Sequence, residues 1–326
     1  MVIDCEHHLQ PFEIWKKRGG KPGETVMMRA PDGRLIRPLD DSTHDVQKHV
    51  NYMDLSGIDM AVLSCTGVDS LDEARIFNNH FSDIIRQYPK RFVAFAATLP
   101  LGGEPAFDEL ERAVKILGLK GILISAQVGG HFLDDRELWP FYKKVSELGI
   151  PIFVHPSLVA SGFDACIAPY DLNRSLVREF DLTLATARIC LGGVLEDFSD
   201  LKFIIAHFGG GISSVKERLD RYVAHMKEAF WAGKPLISEP YAESFNKHFG
   251  KLYFNMAGRE IGMETVKCAL TNISPRRLLF GTDYPPNFTN DPGGTRTYIE
   301  KIRQLDLDKE LIEGMLSTNA MKLLGI

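Results

Sequence analysis

No apolar run in this chain approaches the length of a membrane span, so a protein crossing a bilayer on helices is not expected. No basic block is present either. With 38 basic against 43 acidic residues the net charge is −5, which argues against nucleic acid as a partner. Cysteine is sparse: Cys5, Cys65, Cys166, Cys190 and Cys268 are odd in number, widely scattered and form no CxxC pair. They read as reduced thiols and predict a cytoplasmic protein. Met-Val-Ile runs straight into Asp4 and Glu6, so no signal peptide is expected. No low-complexity stretch or linker divides the 326 residues. At 44% hydrophobic content they suffice for one large core, and residues 1–326 are read as a single domain.

Short apolar, β-branched runs recur along the chain: Val2–Ile3, Met60–Ser64, Phe92–Ala97, Gly121–Ser125, Ile150–Val154, Leu201–Ala206, Leu252–Asn255 and Leu278–Gly281. Most are nearly continuous in hydrophobicity, as parallel strands buried on both faces require. Helical spacing fills the gaps. Asp45–Leu55 carries Val46, Val50 and Met53 in a loose stripe, and Leu71–Tyr88 gathers Ala74, Phe77, Phe81, Ile84 and Ile85 on one face. Eight such rounds predict a (β/α)8, or TIM, barrel rather than an open doubly wound sheet, because the polar interruptions fall at the C-terminal strand ends. Two βα loops are long, Gln10–Asp41 after strand 1 and Ser157–Asn173 after strand 5. Loops of this length at the mouth are expected to act as lids.

Those strand ends carry the chemistry. Strand 1 closes on Glu6-His7-His8, and side chains two apart on a strand share a side. A carboxylate and an imidazole placed together can grip a divalent ion. Strand 5 ends at His155-Pro156, strand 6 at His207 before Gly209-Gly210-Gly211, and strand 8 at Gly281-Thr282-Asp283-Tyr284-Pro285. Each alone reads equally as a turn-capping residue; together they put five metal-competent side chains on one rim. His7, between two of them, should face away and pack or bond to backbone.

This ordered set resembles the amidohydrolase superfamily over nearly the whole chain. The nearest branch is the metal-dependent decarboxylases related to aminocarboxymuconate-semialdehyde, γ-resorcylate and 5-carboxyvanillate decarboxylases. The resemblance implies that Glu6, His8, His155 and Asp283 bind one metal, with His207 beside it as an acid–base group. Glu6 stands where the superfamily's best-known pattern has histidine; the harder, more anionic site tilts the ion from Zn²⁺ toward Mn²⁺. Strand 4 ends at Ser125 and its Lys120 lies at the opposite end, so the bridging lysine of two-metal members is missing and one ion is expected.

Arg37, in the first long loop beyond an Asp32-Gly33 hairpin turn, matches in position a substrate-binding arginine of that branch. Arg218, eleven residues after His207, resembles another that reaches a neighbouring subunit's site, which implies a homodimer or homotetramer. For both arginines a solvated surface role is the alternative. Phe12, Tyr284 and Phe288 are candidates for an apolar wall against a ring, with plain packing as the alternative for each. The expected activity is non-oxidative decarboxylation of a small hydroxylated aromatic, or related unsaturated, carboxylic acid, with Asp283 and His207 catalytic and no organic cofactor. The rivals are a metal-dependent hydrolase or hydratase acting on a lactone, amide or enol acid, and a non-catalytic binding barrel.

Overall fold

The computed structural model describes residues 1–163, 170–227, 245–257, 262–286 and 291–326. Eight strands form its centre: β1 (Ile3–His8), β2 (Met60–Ser64), β3 (Phe92–Ala94), β4 (Ile122–Ser125), β5 (Ile152–His155), β6 (Phe203–Ile205), β7 (Tyr253–Asn255) and β8 (Leu278–Leu279). All pair in parallel, in one arc of β1 to β3 and another of β4 to β8. Two seams join the arcs. At one, Ala96 pairs with Ile122 and its N–H donates to the Gly121 carbonyl at 2.7 Å. At the other, the N–H groups of Cys5 and His8 donate to Phe280 and Tyr284 at 2.9 and 2.7 Å. Closure leaves the barrel strands buried on both faces, and apart from β1, which carries Asp4, Glu6, His7 and His8, they are largely apolar.

A helix follows each strand: α1 (Val46–Ser56), α2 (Leu71–Gln87), α3 (Gly103–Lys115), α4 (Trp139–Leu148), α5 (Arg178–Leu191), α6 (Ile212–Lys227), α7 (Met263–Leu270) and α8 (Pro292–Arg303). The chain is therefore a (β/α)8 barrel. α2 starts where the Ser70 hydroxyl accepts from Glu73 N–H and buries Ala74, Phe77, Phe81 and Ile84 as its spacing predicts. α1 departs from its expected stripe. Its buried face is His49, Tyr52, Met53 and Ser56, while Val46 and Val50 are only half-buried. Half of that face is polar because it packs on a polar feature of β1 rather than on an apolar strand.

The first long loop folds on itself. A short helix, Phe12–Lys17, precedes an antiparallel hairpin of Val26–Arg29 with Leu35–Leu39, turned at Asp32-Gly33 where Gly33 takes φ 88°. The hairpin leans on the end of the second long loop. Arg178 donates to the Ile36 carbonyl at 2.7 Å, and Arg34 to the Ala160 carbonyl at 3.4 Å. A two-stranded hairpin after β4, Gln127–Val128 with His131–Phe132, has no counterpart in the sequence reading.

Phe153 of β5 is fully buried and faces Phe95 with ring centroids 6.0 Å apart. Phe153→Ala is expected to destabilise the barrel by about 3–5 kcal/mol, read as a lowered midpoint in urea unfolding at unchanged m-value.

Candidate metal centre

β1 carries the first two candidate ligands and departs from simple alternation. Its register against β2 shifts between Asp4 and His7. Glu6 and His8 still share a side, with His8 Nε2 3.8 Å from Glu6 Oε1. Asp4 and His7, three apart, meet on another side, Nδ1 to Oδ2 at 2.8 Å. A bulge of this kind re-aims side chains without ending the strand.

Across the barrel mouth, ligand atoms of Glu6, His8, His155 and Asp283 lie within 4.8 Å of one another, all buried. His8 Nε2 is 3.0 Å from Asp283 Oδ1, and His155 Nε2 is 3.7 Å from Glu6 Oε1. Ligands bound at about 2.0–2.2 Å to one tetrahedral or octahedral ion stand roughly 3–3.6 Å apart, so the cluster is close to coordinating size. Both Glu6 oxygens are buried with no hydrogen-bond partner. A buried carboxylate left so is unfavourable, and a cation relieves it. The imidazoles are already oriented: His155 Nδ1–H donates to the Pro156 carbonyl at 2.8 Å, and His8 Nδ1 meets Ser64 Oγ at 3.1 Å. Each Nε2 is thereby turned to the cluster. Two imidazoles and two carboxylates suit a divalent ion, and the residues fit the group.

His207 flanks the cluster, Nε2 3.7 Å from Glu6 Oε1 and 3.8 Å from Asp283 Oδ2. Its Nδ1–H donates to Glu179 Oε1 at 2.8 Å. Glu179, in the first turn of α5, carries no motif and was invisible in the sequence. Gly210 brings it there. A Cβ on Gly210 would lie 2.0 Å from the Glu179 carbonyl oxygen, so this close approach needs glycine. The glycines after β6 thus serve packing on both sides: Gly210 against α5 before the strand, and Gly209 against Ile212 of α6 after it, where a Cβ would lie 2.8 Å from that side chain. His207, Phe208 and Asp283 all adopt φ near 50°, rare for residues with a Cβ.

Burial opposes charge on every group here, and the neighbours decide the outcome. For His8 the carboxylates of Asp283 and Glu6 overcome burial and raise it to about 9. For His207, Glu179, then Glu6 and Asp283, outweigh burial and raise it to about 10. His155 has no adjoining carboxylate strong enough, and burial with the nearby His8 charge drives it well down, leaving it neutral. Glu6 is raised by burial; Asp283 is lowered despite burial, by its contact with His8 and the charges of His207 and His155.

Behind the ligands Asp4 is fully buried and accepts four hydrogen bonds: Glu6 N–H at 3.1 Å, Thr282 N–H at 2.9 Å, Thr282 Oγ1 at 2.5 Å and His7 Nδ1 at 2.8 Å. His7 passes the contact to His49, Nε2 to Nδ1 at 2.8 Å, and His49 Nε2–H donates to the Ser42 carbonyl at 2.6 Å. His7 does face away from the ligands, but into this buried chain rather than into simple packing.

The remaining expected site residues divide. Arg37 is buried near the cluster, with Nη1 on Thr66 Oγ1 at 2.9 Å. Tyr284 does not form a wall of the site. Its ring stacks on His7 and Tyr52, centroids 4.9 and 3.8 Å away, on the side facing α1. Phe12 is 49% exposed and stacks with Trp15 and His44. Arg218 lies exposed on α6 with its guanidinium 5.9 Å from the Tyr222 ring, and no contact with the cluster is seen among the described residues. Phe288 lies outside the described residues.

The amidohydrolase family profile matches residues 3–326. This chain is a member of the amidohydrolase family. It is 27% identical over 305 residues to 2-amino-3-carboxymuconate-6-semialdehyde decarboxylase of Dictyostelium discoideum, covering 90% of this chain and 80% of that protein. It is 28% identical over 262 residues to a gamma-resorcylate decarboxylase of Polaromonas sp. strain JS666, covering 74% and 77%. The 5-carboxyvanillate decarboxylase of Novosphingobium aromaticivorans, solved with manganese and 4-hydroxy-3-methoxy-5-nitrobenzoic acid, superposes with TM-score 0.78 at 19% identity, covering 100% and 96%. At that identity the likeness carries the barrel fold.

Two outcomes follow for metal binding. Asp4→Asn should weaken divalent-ion affinity about 10–100-fold with the fold retained, measured by titration calorimetry. A metal also competes with the His8 proton. Affinity should therefore rise with pH up to about 9, where His8 Nε2 is free without displacement, and level off above it. Calorimetry in buffers of different ionisation enthalpy reads the proton released at pH 7.

Proposed function

We propose that this amidohydrolase is a metal-dependent, non-oxidative decarboxylase of a small hydroxylated aromatic, or related unsaturated, carboxylic acid. The observation that carries the reading is the position of Asp283, shared between the buried ligand cluster and His207. The decarboxylase names of its relatives support it. The site takes one divalent ion, Mn²⁺ favoured over Zn²⁺ by two carboxylates in the donor set, and no organic cofactor. Ser125 at the end of β4, and a single compact cluster among the described residues, support one ion rather than two.

The ion supplies Lewis-acid chemistry at a substrate oxygen. The rest falls to the chain's own side chains. Losing CO₂ directly from an arene carboxylate would leave an aryl carbanion, so the ring carbon must be protonated first. The Glu179 carboxylate on its Nδ1 favours the protonated form of His207, whose Nε2 faces Asp283 Oδ2 at 3.8 Å. Asp283 takes that proton and delivers it to the carbon bearing the carboxylate. The C–C bond then breaks, its electron pair returns to the ring, and CO₂ leaves. Glu179 holds His207 in place through Nδ1.

The protein works as a homodimer or homotetramer in this reading, with Arg218 presented to a neighbouring subunit. Its exposure on α6 supports that arrangement. Three buried free thiols, Cys5, Cys65 and Cys190, suit a cytoplasmic setting, and among the described residues no helix is long and apolar enough to cross a membrane.

Asp283→Asn should lower CO₂ release from hydroxybenzoates by a factor on the order of 10²–10⁴ while the far-UV spectrum stays unchanged. In D₂O the wild type should place deuterium at the vacated ring carbon. Near-normal CO₂ release by the variant, or ring opening of lactones without CO₂ release by the wild type, would instead assign a hydrolase or hydratase.

A further inference from the structure

A buried imidazole stands where helix packing needs only an apolar side chain. His49 lies on the inner face of α1 beside Tyr52 and Met53 and is fully buried. A leucine there would pack without the cost of desolvating two ring nitrogens. Both nitrogens are used, and each faces a different part of the molecule. Nδ1 meets His7 Nε2 at 2.8 Å, and Nε2–H donates to the Ser42 carbonyl at 2.6 Å.

Those two partners lie on either side of the first long loop. Ser42 belongs to the turn in which the loop ends, and its N–H donates to Asp40 Oδ1 at 2.8 Å. Beside it the Thr43 carbonyl accepts from Gln10 N–H at 2.9 Å, where the loop leaves β1. His7 belongs to β1 itself, and its Nδ1 is committed to Asp4 Oδ2 at 2.8 Å. Among the described residues His49 is the one hydrogen-bond partner of His7 Nε2.

The consequence reaches the ligands. Without His49 a buried ring nitrogen of His7 loses its partner, at a cost of about 1–3 kcal/mol that a turned ring would relieve. A turned His7 gives up its bond to Asp4. Asp4 also holds the Glu6 N–H and both donors of Thr282, the residue before Asp283. Glu6 and Asp283 are two members of the ligand cluster.

We propose that His49 is a positioning residue for the metal centre: through His7 and Asp4 it sets the placement of Glu6 and Asp283, and with it the affinity for the ion. This role rests on the reading of that cluster as a metal centre.

Two variants separate positioning from mere filling of the helix face. In His49→Asn the amide falls where Nδ1 stood, keeping the contact with His7 and losing the one with Ser42. In His49→Gln the amide falls where Nε2 stood, with the reverse result. Each gives up one buried bond, so both should unfold at similar urea concentrations, below the wild type. Mn²⁺ affinity, read by calorimetry, should part them: H49Q weaker by about tenfold or more, H49N within about threefold of the wild type. Equal affinities, or the reverse order, would overturn the role. A wild type that binds no Mn²⁺ would overturn the metal centre itself, a separate result. Should neither variant fold, magnetic resonance on wild type labelled at its histidine nitrogens decides. At 2.8 Å the two rings share one proton. It should couple to a nitrogen of each ring and shift when Zn²⁺, a diamagnetic ion, is added. No such proton, or one indifferent to the ion, overturns the proposal.

Discussion

The carboxylate of Asp4 is the constraint on which the site depends. It ties the first strand to the segment after the last, accepting from Glu6 N–H on one side and from both donors of Thr282 on the other. Three of the four candidate ligands, Glu6, His8 and Asp283, sit on the two segments it joins. A closing seam in a barrel could be met by backbone pairing alone. Here a buried side chain with four donors fixes the seam, and charge-assisted bonds of this kind exceed neutral ones in strength. The bulge in β1 makes it possible by turning Asp4 and His7 out of the ligand row while Glu6 and His8 stay in it.

The site that results is costly to fold. Glu6 is buried without hydrogen-bond partners among the described residues, and three non-glycine residues hold left-handed backbone at the ends of β6 and β8. Each is unfavourable in isolation. The ring of buried strands and helices that surrounds them supplies the compensation. The first of these features describes a ligand, a cation for Glu6, and the second fixes the proton path from His207 to Asp283.

Much of this was legible in the sequence, and the limits are physical. Most of the eight strands were readable because closure buries both strand faces and favours apolar residues. The ligands were readable because they interrupt those runs at one end. What failed depended on contacts between distant segments. Glu179 has its role because Gly210 lets α5 approach, and neither residue announces the other. Tyr284 lay beside a ligand in sequence, but beyond the end of β8, where Asp283 takes φ 53°, it turns to the α1 side and stacks with His7. The polar face of α1 was misread for the same reason: His49 and Tyr52 pack on the bulged strand, which no local pattern reveals.

The central claim is that Glu6, His8, His155 and Asp283 together hold one ion with His207 beside it. An anomalous difference map from crystals of Mn²⁺-loaded protein tests it directly. The account predicts one strong peak, about 2.0–2.3 Å from an atom of each of the four side chains, with His207 outside bonding distance. Two peaks in the barrel mouth, or a single peak that omits Glu6 or Asp283, would contradict it.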